Sequence, residues 1–183
     1  LRQAKGAPAD AGLGLVIQAM AFGVGTGKSG SGVIQFVDEL TGHPVLKGRY
    51  LCQSQGRDAL SHDAQAMYLT QDDRGPSLEV TLPDVFTELL EHGAKGRQFL
   101  REEMQMEFTI EDGKLYILDS VRLPRSSRAA VRIAVALAND GVIAKPEAVM
   151  RVEPRALNEL LHRQVDPDAV RDPIARGLAA SPG

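Results

Sequence analysis

The sequence has no tryptophan, and aromatic residues make up only 4% of its 183 positions. Any core it builds must therefore be mainly aliphatic. One cysteine, Cys52, excludes an internal disulfide and any multi-cysteine zinc site. That usage fits a reducing compartment, and a cytoplasmic location is expected. The four histidines (His43, His62, His92 and His162) share no spacing and have no clustered cysteines or carboxylates beside them, which argues against a histidine metal centre. No excess of basic charge is present. The net charge is -3 and the pI about 5.8, which speaks against a nucleic-acid or polyanion binder. Long apolar runs are missing too. The longest, residues 13–22, is interrupted by Gln18 and is far too short to span a bilayer. No basic stretch leads into an apolar one at the start, so neither a signal peptide nor a membrane partner is expected. The chain opens at Leu1 and closes on Ala180-Ser181-Pro182-Gly183, and both ends read as cut from something longer.

What is present is ordinary globular material. The hydrophobic fraction is 43% and the charged fraction 25%, over a length sufficient for one cored domain and a smaller appendage. Residues 13–22 have the make-up of a buried strand, 23–32 of a Gly/Ser-rich turn, and 33–37 of a returning strand. Thr41-Gly42-His43-Pro44 is a turn leading to a short strand over 49–53, with Cys52 expected to be a small buried side chain. Asp72-Asp73-Arg74-Gly75-Pro76 is a loop. Leu82-Pro83-Asp84 opens a helix on Val85, Phe86, Leu89 and Leu90, with Gly93 and Gly96 expected to interrupt it before Phe99 and Leu100. The strongest local signal is a β-hairpin. Residues 107–111 and 114–118 alternate at period two around Asp112-Gly113. After Pro124 the pattern turns helical. Ser126 or Ser127 caps a helix to Ala138 with Ala130, Ile133, Ala134 and Leu137 inward, closed by Asn139-Asp140-Gly141. Prolines 146 and 154 start two more helices, and the tail from 165 reads as extended. The expected organisation is an α+β part over 1–125 and a helical part over 126–183.

Gly23-Val24-Gly25-Thr26-Gly27-Lys28-Ser29 invites comparison with a P-loop, but that motif needs four residues between its first glycine and the Gly-Lys pair. Phe22 occupies the required glycine position and a strand-like segment follows, so a flexible hairpin tip is the better reading. Glu107 and Asp119 are the candidate metal carboxylates, because Mg²⁺ takes hard oxygen ligands and leaves positions for water and phosphates. Register decides whether they meet. A strict two-residue turn sets Glu107 against Leu118, whereas a three-residue loop through Lys114 sets it against Asp119. Ser61-His62-Asp63 lacks the nucleophile elbow of a hydrolase.

Met20-Ala21-Phe22-Gly23, Ser29-Gly30-Ser31-Gly32-Val33, Gly48-Arg49-Tyr50-Leu51, Gln55-Gly56-Arg57-Asp58 and the whole of 106–118 follow one another in an order that resembles the pyruvate phosphate dikinases. Leu160-Leu161-His162 and 172–183 continue the resemblance, which runs from about residue 13 to the end. It implies the second lobe of an ATP-grasp nucleotide-binding domain, an antiparallel sheet with helices, followed by a helical connector. It also implies ATP and Mg²⁺ as cofactors, with phosphoryl transfer from ATP through a histidine to pyruvate. The first lobe and the phosphohistidine domain would lie outside this chain, and the apolar face meant for the first lobe makes self-association an expectation.

Carried over position by position, the family's Asp-x-Glu becomes Gln105 and Glu107, and its Gln-Thr-Arg becomes Asp119, Ser120 and Val121, with Arg122 one place on. Its Gly-Glu-Tyr-Leu has Arg49 in the acidic place, its Gln-Gly-Glu-Asp has Arg57, and its Arg-Asn/Asp-Pro is Val37-Asp38-Glu39. The resemblance thus implies nucleotide contacts at Glu107, Asp119, Gln55 and Arg122, and metal contacts at Glu107, Asp119 and Asp58; in a non-catalytic module, Arg49 and Arg57 would instead meet an anion in place of the lost metal. Cations beside the transferring phosphate matter for catalysis, so the chain alone is expected to be inactive. Two other readings stay open: a non-catalytic ligand-binding or regulatory module, and a structural domain docking through 126–162.

Overall fold

The computed structural model describes residues 12, 14–55 and 66–161. Two hairpins make one antiparallel sheet. Strand β1 (Gly30–Val37) pairs with β2 (Pro44–Cys52) across the turn at 38–43, and β3 (Met104–Glu111) with β4 (Lys114–Arg122). The hairpins join through β1 and β3, giving the order β2-β1-β3-β4. Between them in sequence lie α1 (Leu78–Thr81), capped by Ser77, and α2 (Pro83–Leu100). After the sheet come α3 (Ser127–Asn139), capped by Ser126, then α4 (Lys145–Met150) and α5 (Pro154–Leu161). The chain is an α+β protein.

Period-two alternation puts one side of each strand against α2. Ile34, Tyr50, Met106, Phe108, Ile110 and Leu115 close there on Leu78, Val85, Phe86 and Leu89. Phe36, Tyr50, Phe86 and Phe108 supply the aromatic rings of this cluster. Tyr50 and Phe108 stack with ring centroids 6.2 Å apart. Glycines on β1 make the room, since a Cβ on Gly32 would lie 2.5 Å from the Phe108 ring and one on Gly30 2.5 Å from the Tyr50 hydroxyl. A second apolar cluster gathers Ala129, Ile133, Ala134 and Leu137 of α3 with Val142, Ile143 and Ala148, joined by Val37 and Leu123 from strand ends.

Several expectations need correction. Gly93 and Gly96 do not interrupt α2, which is continuous through both. They let it approach the sheet: a Cβ on Gly93 would sit 2.1 Å from the Phe36 ring, and one on Gly96 2.6 Å from the Met106 methyl. Phe99 is left 86% exposed. Residues 14–22 are not a buried strand. They form no strand, and Leu15, Val16 and Ile17 are at least 80% exposed, because no neighbouring strand among the described residues pairs with them. Cys52 is exposed, since it ends an edge strand, with its thiol 3.2 Å from the Met67 sulfur. On α3, Ala129 rather than Ala130 completes the buried stripe. The extended tail expected from 165 lies outside the described residues.

Candidate functional site

The face of the sheet turned away from α2 carries the polar residues. Its geometry depends on one extra residue in β4. The turn Asp112-Gly113 has two residues, both at positive φ (48° and 84°), as a twisted hairpin requires. Glu111 pairs with Lys114 and Phe108 with Ile117, but the register then shifts, and Glu107 pairs with Asp119. A β-bulge at Leu118 has absorbed one position. Neither loop alternative foreseen from sequence is realised: the turn stays short and the carboxylates still meet. Without the bulge Asp119 would oppose Met106, on the core side.

The pairing extends across the sheet. Arg49 is the partner of Val33, Val33 of Glu107, and Glu107 of Asp119, so these four side chains form one row. At about 4.8 Å between strands, Arg49 stands roughly 10 Å from Glu107 and 14 Å from Asp119. The next row is Lys47, Gln35, Gln105 and Val121. Every position transferred from the Asp-x-Glu and from the outer members of the Gln-Thr-Arg pattern therefore lies in a two-by-two block on one face. Cationic groups stand at the β2 edge, and carboxylates occupy β3 and β4.

Glu107 is half-buried and Asp119 exposed, with Asp119 Oδ1 accepting from the Ser120 N–H at 2.7 Å. Like charges directly opposite each other repel, so the pair favours a cation between or above them. Among the described residues no group of three His, Cys, Asp or Glu comes together. Two carboxylates alone still fit Mg²⁺, which is commonly held by one or two of them plus water and phosphate oxygens. Lys47 escaped notice in the sequence, although its spacing of two from Arg49 on a strand was the available signal. It pairs with Asp38 and Glu39. The Lys47 ammonium and the Thr41 hydroxyl hold the Asp38 carboxyl well below the usual carboxylate range.

The other candidates are placed elsewhere. Gln55 ties down the strap that enters the sheet: its Oε1 accepts from the Gly23 N–H at 3.1 Å and its Nε2 donates to the Ala21 carbonyl at 3.2 Å. Arg122, one residue past the block, has the opposite strand parity, and its Nε pairs with Glu102 at 3.0 Å. Asp58 and Arg57, like His62 and His162, lie outside the described residues. The glycine-rich segment leads into β1 and not into a helix, so a P-loop is absent there. Its tip is pinned as well, through Asp112 Oδ1 accepting from the Gly27 N–H at 2.9 Å and Gln53 bracketing Gly25 and Gly27. No helix of the described residues is long and apolar enough to cross a membrane.

No family model matches the chain. Curated relatives do. The pyruvate, phosphate dikinase of Rhizobium meliloti is 37% identical over 188 aligned residues, covering 100% of this chain and 21% of that protein. The enzyme of the same name from Clostridium symbiosum is 35% identical over 178 residues, 96% of this chain and 20% of its own. The chloroplastic one from Flaveria trinervia is 36% identical over 169 residues, 91% and 17% respectively. The chain spans about a fifth of the length of these relatives, and it is homologous to a segment of the pyruvate, phosphate dikinases.

Proposed function

We propose that this chain is the second lobe of an ATP-grasp nucleotide-binding domain, residues 1–125, with its helical connector over 126–183. On this reading it offers an ordered binding face for a divalent cation and a nucleotide's phosphates, and it does not transfer phosphoryl groups by itself. The observation that carries this is the row Arg49-Val33-Glu107-Asp119, which the Leu118 bulge completes. Glu107 and Asp119 would hold Mg²⁺, whose chemistry when bound is to neutralise charge on phosphate oxygens. Arg49, at the far end of the row, would meet an anionic group of the same ligand.

Substitution supports the inactive half of the reading. Val121 is apolar where the pattern implied by the resemblance has arginine, and Gln105 is neutral where that pattern has aspartate. Losing one preorganised charge of this kind commonly costs about 3–4 kcal/mol of transition-state stabilisation. The exposed apolar residues Leu15, Val16 and Ile17 suit a surface that the rest of a longer protein would cover.

The test is Mn²⁺ titration of the chain followed by NMR. Paramagnetic broadening should centre on residues 33, 107 and 119 and vanish in Asp119→Asn. Broadening centred elsewhere, or none at millimolar metal, overturns the metal assignment. Calorimetry with ATP plus Mg²⁺ then reports whether a nucleotide adds heat beyond the metal alone.

A further inference from the structure

The side of the sheet turned toward α2 carries a charged cluster of its own, at the β4 edge beyond the end of α2. Arg122 pairs across the ladder with Met104, and Ser120 with Met106, so both lie on the side opposite Glu107 and Asp119. Three more arginines gather there. Arg101 ends α2, Arg125 follows β4, and Arg151 ends α4. Two glutamates receive all four. Arg122, Arg125 and Arg151 lie within 3.7 Å of Glu102, while Arg101 and Arg151 pair with Glu147. Four cations therefore face two anions in one connected network, within a protein whose net charge is -3.

Donors outnumber acceptors as well. Glu102 Oε1 accepts from Arg125 Nη1 at 2.7 Å and from the Glu103 N–H at 2.9 Å. Glu102 Oε2 accepts from Arg125 Nη2 at 3.0 Å. Arg122 Nε and Arg151 Nη1 stand 3.0 and 3.7 Å from that same oxygen. A carboxylate oxygen offers about two lone pairs, so it cannot serve three guanidinium groups in full. Arg151 has other acceptors in the Arg101 carbonyl and Glu147, at 2.6 and 2.7 Å. Arg122 does not. Among the described residues its terminal nitrogens meet no acceptor, and its side chain is 60% exposed.

These groups line open space. A cleft of about 410 Å³ lies between Leu100, Glu102, Met104, Ser120, Arg122 and Arg151, a size within the range of small-molecule sites. Past Arg122 and Arg151 it adjoins a second hollow of about 360 Å³, beside Arg125 and Ser126. Glu153 is the one further carboxylate on these walls, and positive charge stays in excess with it counted. The excess calls for an anion, and a guanidinium fork matches the paired oxygens of a carboxylate or a phosphate. Leu100 and Met104 decide between the two. A bare phosphate leaves them uncovered, whereas a short hydrocarbon carrying carboxylates takes their apolar surface out of water.

We infer that this cleft is a binding site for a small dicarboxylate, with one carboxylate on the Arg122 guanidinium and the hydrocarbon against Leu100 and Met104. The second carboxylate lies toward Arg125 and Arg151, where the two hollows meet. This site is on the opposite side of the sheet from the proposed metal and nucleotide face and does not rest on it. It also gives Arg122 an occupation other than the nucleotide contact that the sequence pattern implies.

Succinate, titrated into the isotope-labelled chain at constant ionic strength and followed by NMR, is the test. Saturating shifts should centre on the amides of residues 100, 104, 120, 122 and 151, at millimolar succinate or below, and persist in Asp119→Asn. Arg122→Gln should weaken binding about tenfold, the scale of one charge-assisted hydrogen bond. Inorganic phosphate, of comparable charge but without hydrocarbon, should bind more weakly at the same place. Shifts that never saturate, or that spread over cations elsewhere, mean an adventitious ion only and overturn the inference. Phosphate binding as tightly as succinate overturns it too. Should Arg122→Gln not fold, Arg122→Lys is read instead, since it keeps the charge and loses the fork. An affinity for succinate equal to the parent's has the same meaning there.

Discussion

The two faces of the sheet were built to different standards. Toward α2 the strands present Ile34, Met106, Phe108 and Ile110, all at most 3% exposed, with glycines placed so that two rings can stack. Toward the other side the same strands present Arg49, Glu107, Asp119 and Val121, half-buried or exposed. Against the motif pattern that the resemblance implies, the changes of type fall on this second face, while the hairpin's apolar alternation is kept. Packing constrains the first face through close contact, where a single methylene is felt. Solvent on the second face lets an arginine stand in for a glutamate at small cost to the fold. A scaffold can therefore outlast a change in its chemistry.

Breaking the packed face gives the largest effect. Phe108→Ala should cost about 3–5 kcal/mol in urea unfolding, because the ring is fully buried. A loss under about 1 kcal/mol would mean the two faces do not differ in kind. Gly93→Ala should cost about 1–3 kcal/mol despite alanine's better helix propensity, since its methyl meets the Phe36 ring. A gain in stability there would show that α2 can move off the sheet.

The ion pairs that Arg122, Arg125 and Arg151 make with Glu102 titrate separately. Burial pushes the Glu102 carboxyl up, but the Arg125 hydrogen bonds, the Glu103 N–H and the charges of Arg125 and Arg122 together bring it below its ordinary 4.5. A carboxyl lowered on folding stabilises the protein above its unfolded value, and the contribution fades as pH falls through the folded value. The stability gap between the parent and Glu102→Gln should therefore be constant above about pH 5.5 and narrow below 4.5. A gap independent of pH would remove the charge from the explanation. The smallest effect belongs to the open face. With metal chelated, Asp119→Asn should stabilise by a few tenths of a kcal/mol to about 1, relieving the repulsion with Glu107. Destabilisation would show that Asp119 has a structural partner instead.

Much of this was legible beforehand. The hairpin strands and the helices after Pro124 follow from alternation, proline placement and the Ser126 cap, which are local rules. What escaped detection depends on distant contacts. Residues 14–22 have a strand's composition but no partner strand among the described residues, and composition does not reveal pairing. Gly93 and Gly96 look like helix breakers until Phe36 and Met106 are seen to fill the space above them. The candidate site was half readable. Glu107 and Asp119 were singled out by type and approximate position, and the register pairs them, while Arg122 lies one residue past Val121 on the opposite face. Gln55 has the right chemistry for a ligand, but its amide holds backbone.

The Leu118 bulge works as a frameshift does in a message. Upstream of it, odd positions of β4 fall on one side of the sheet; downstream, the assignment is inverted. Flattening the bulge with Leu118 kept in the ladder would leave the turn and the first half of the hairpin intact and transpose everything after it, sending Asp119 toward Met106 and Ser120 toward Gln105. Whether Leu118 is looped out or taken into the ladder would thus exchange the inside for the outside of the binding face without altering any side chain that composes it.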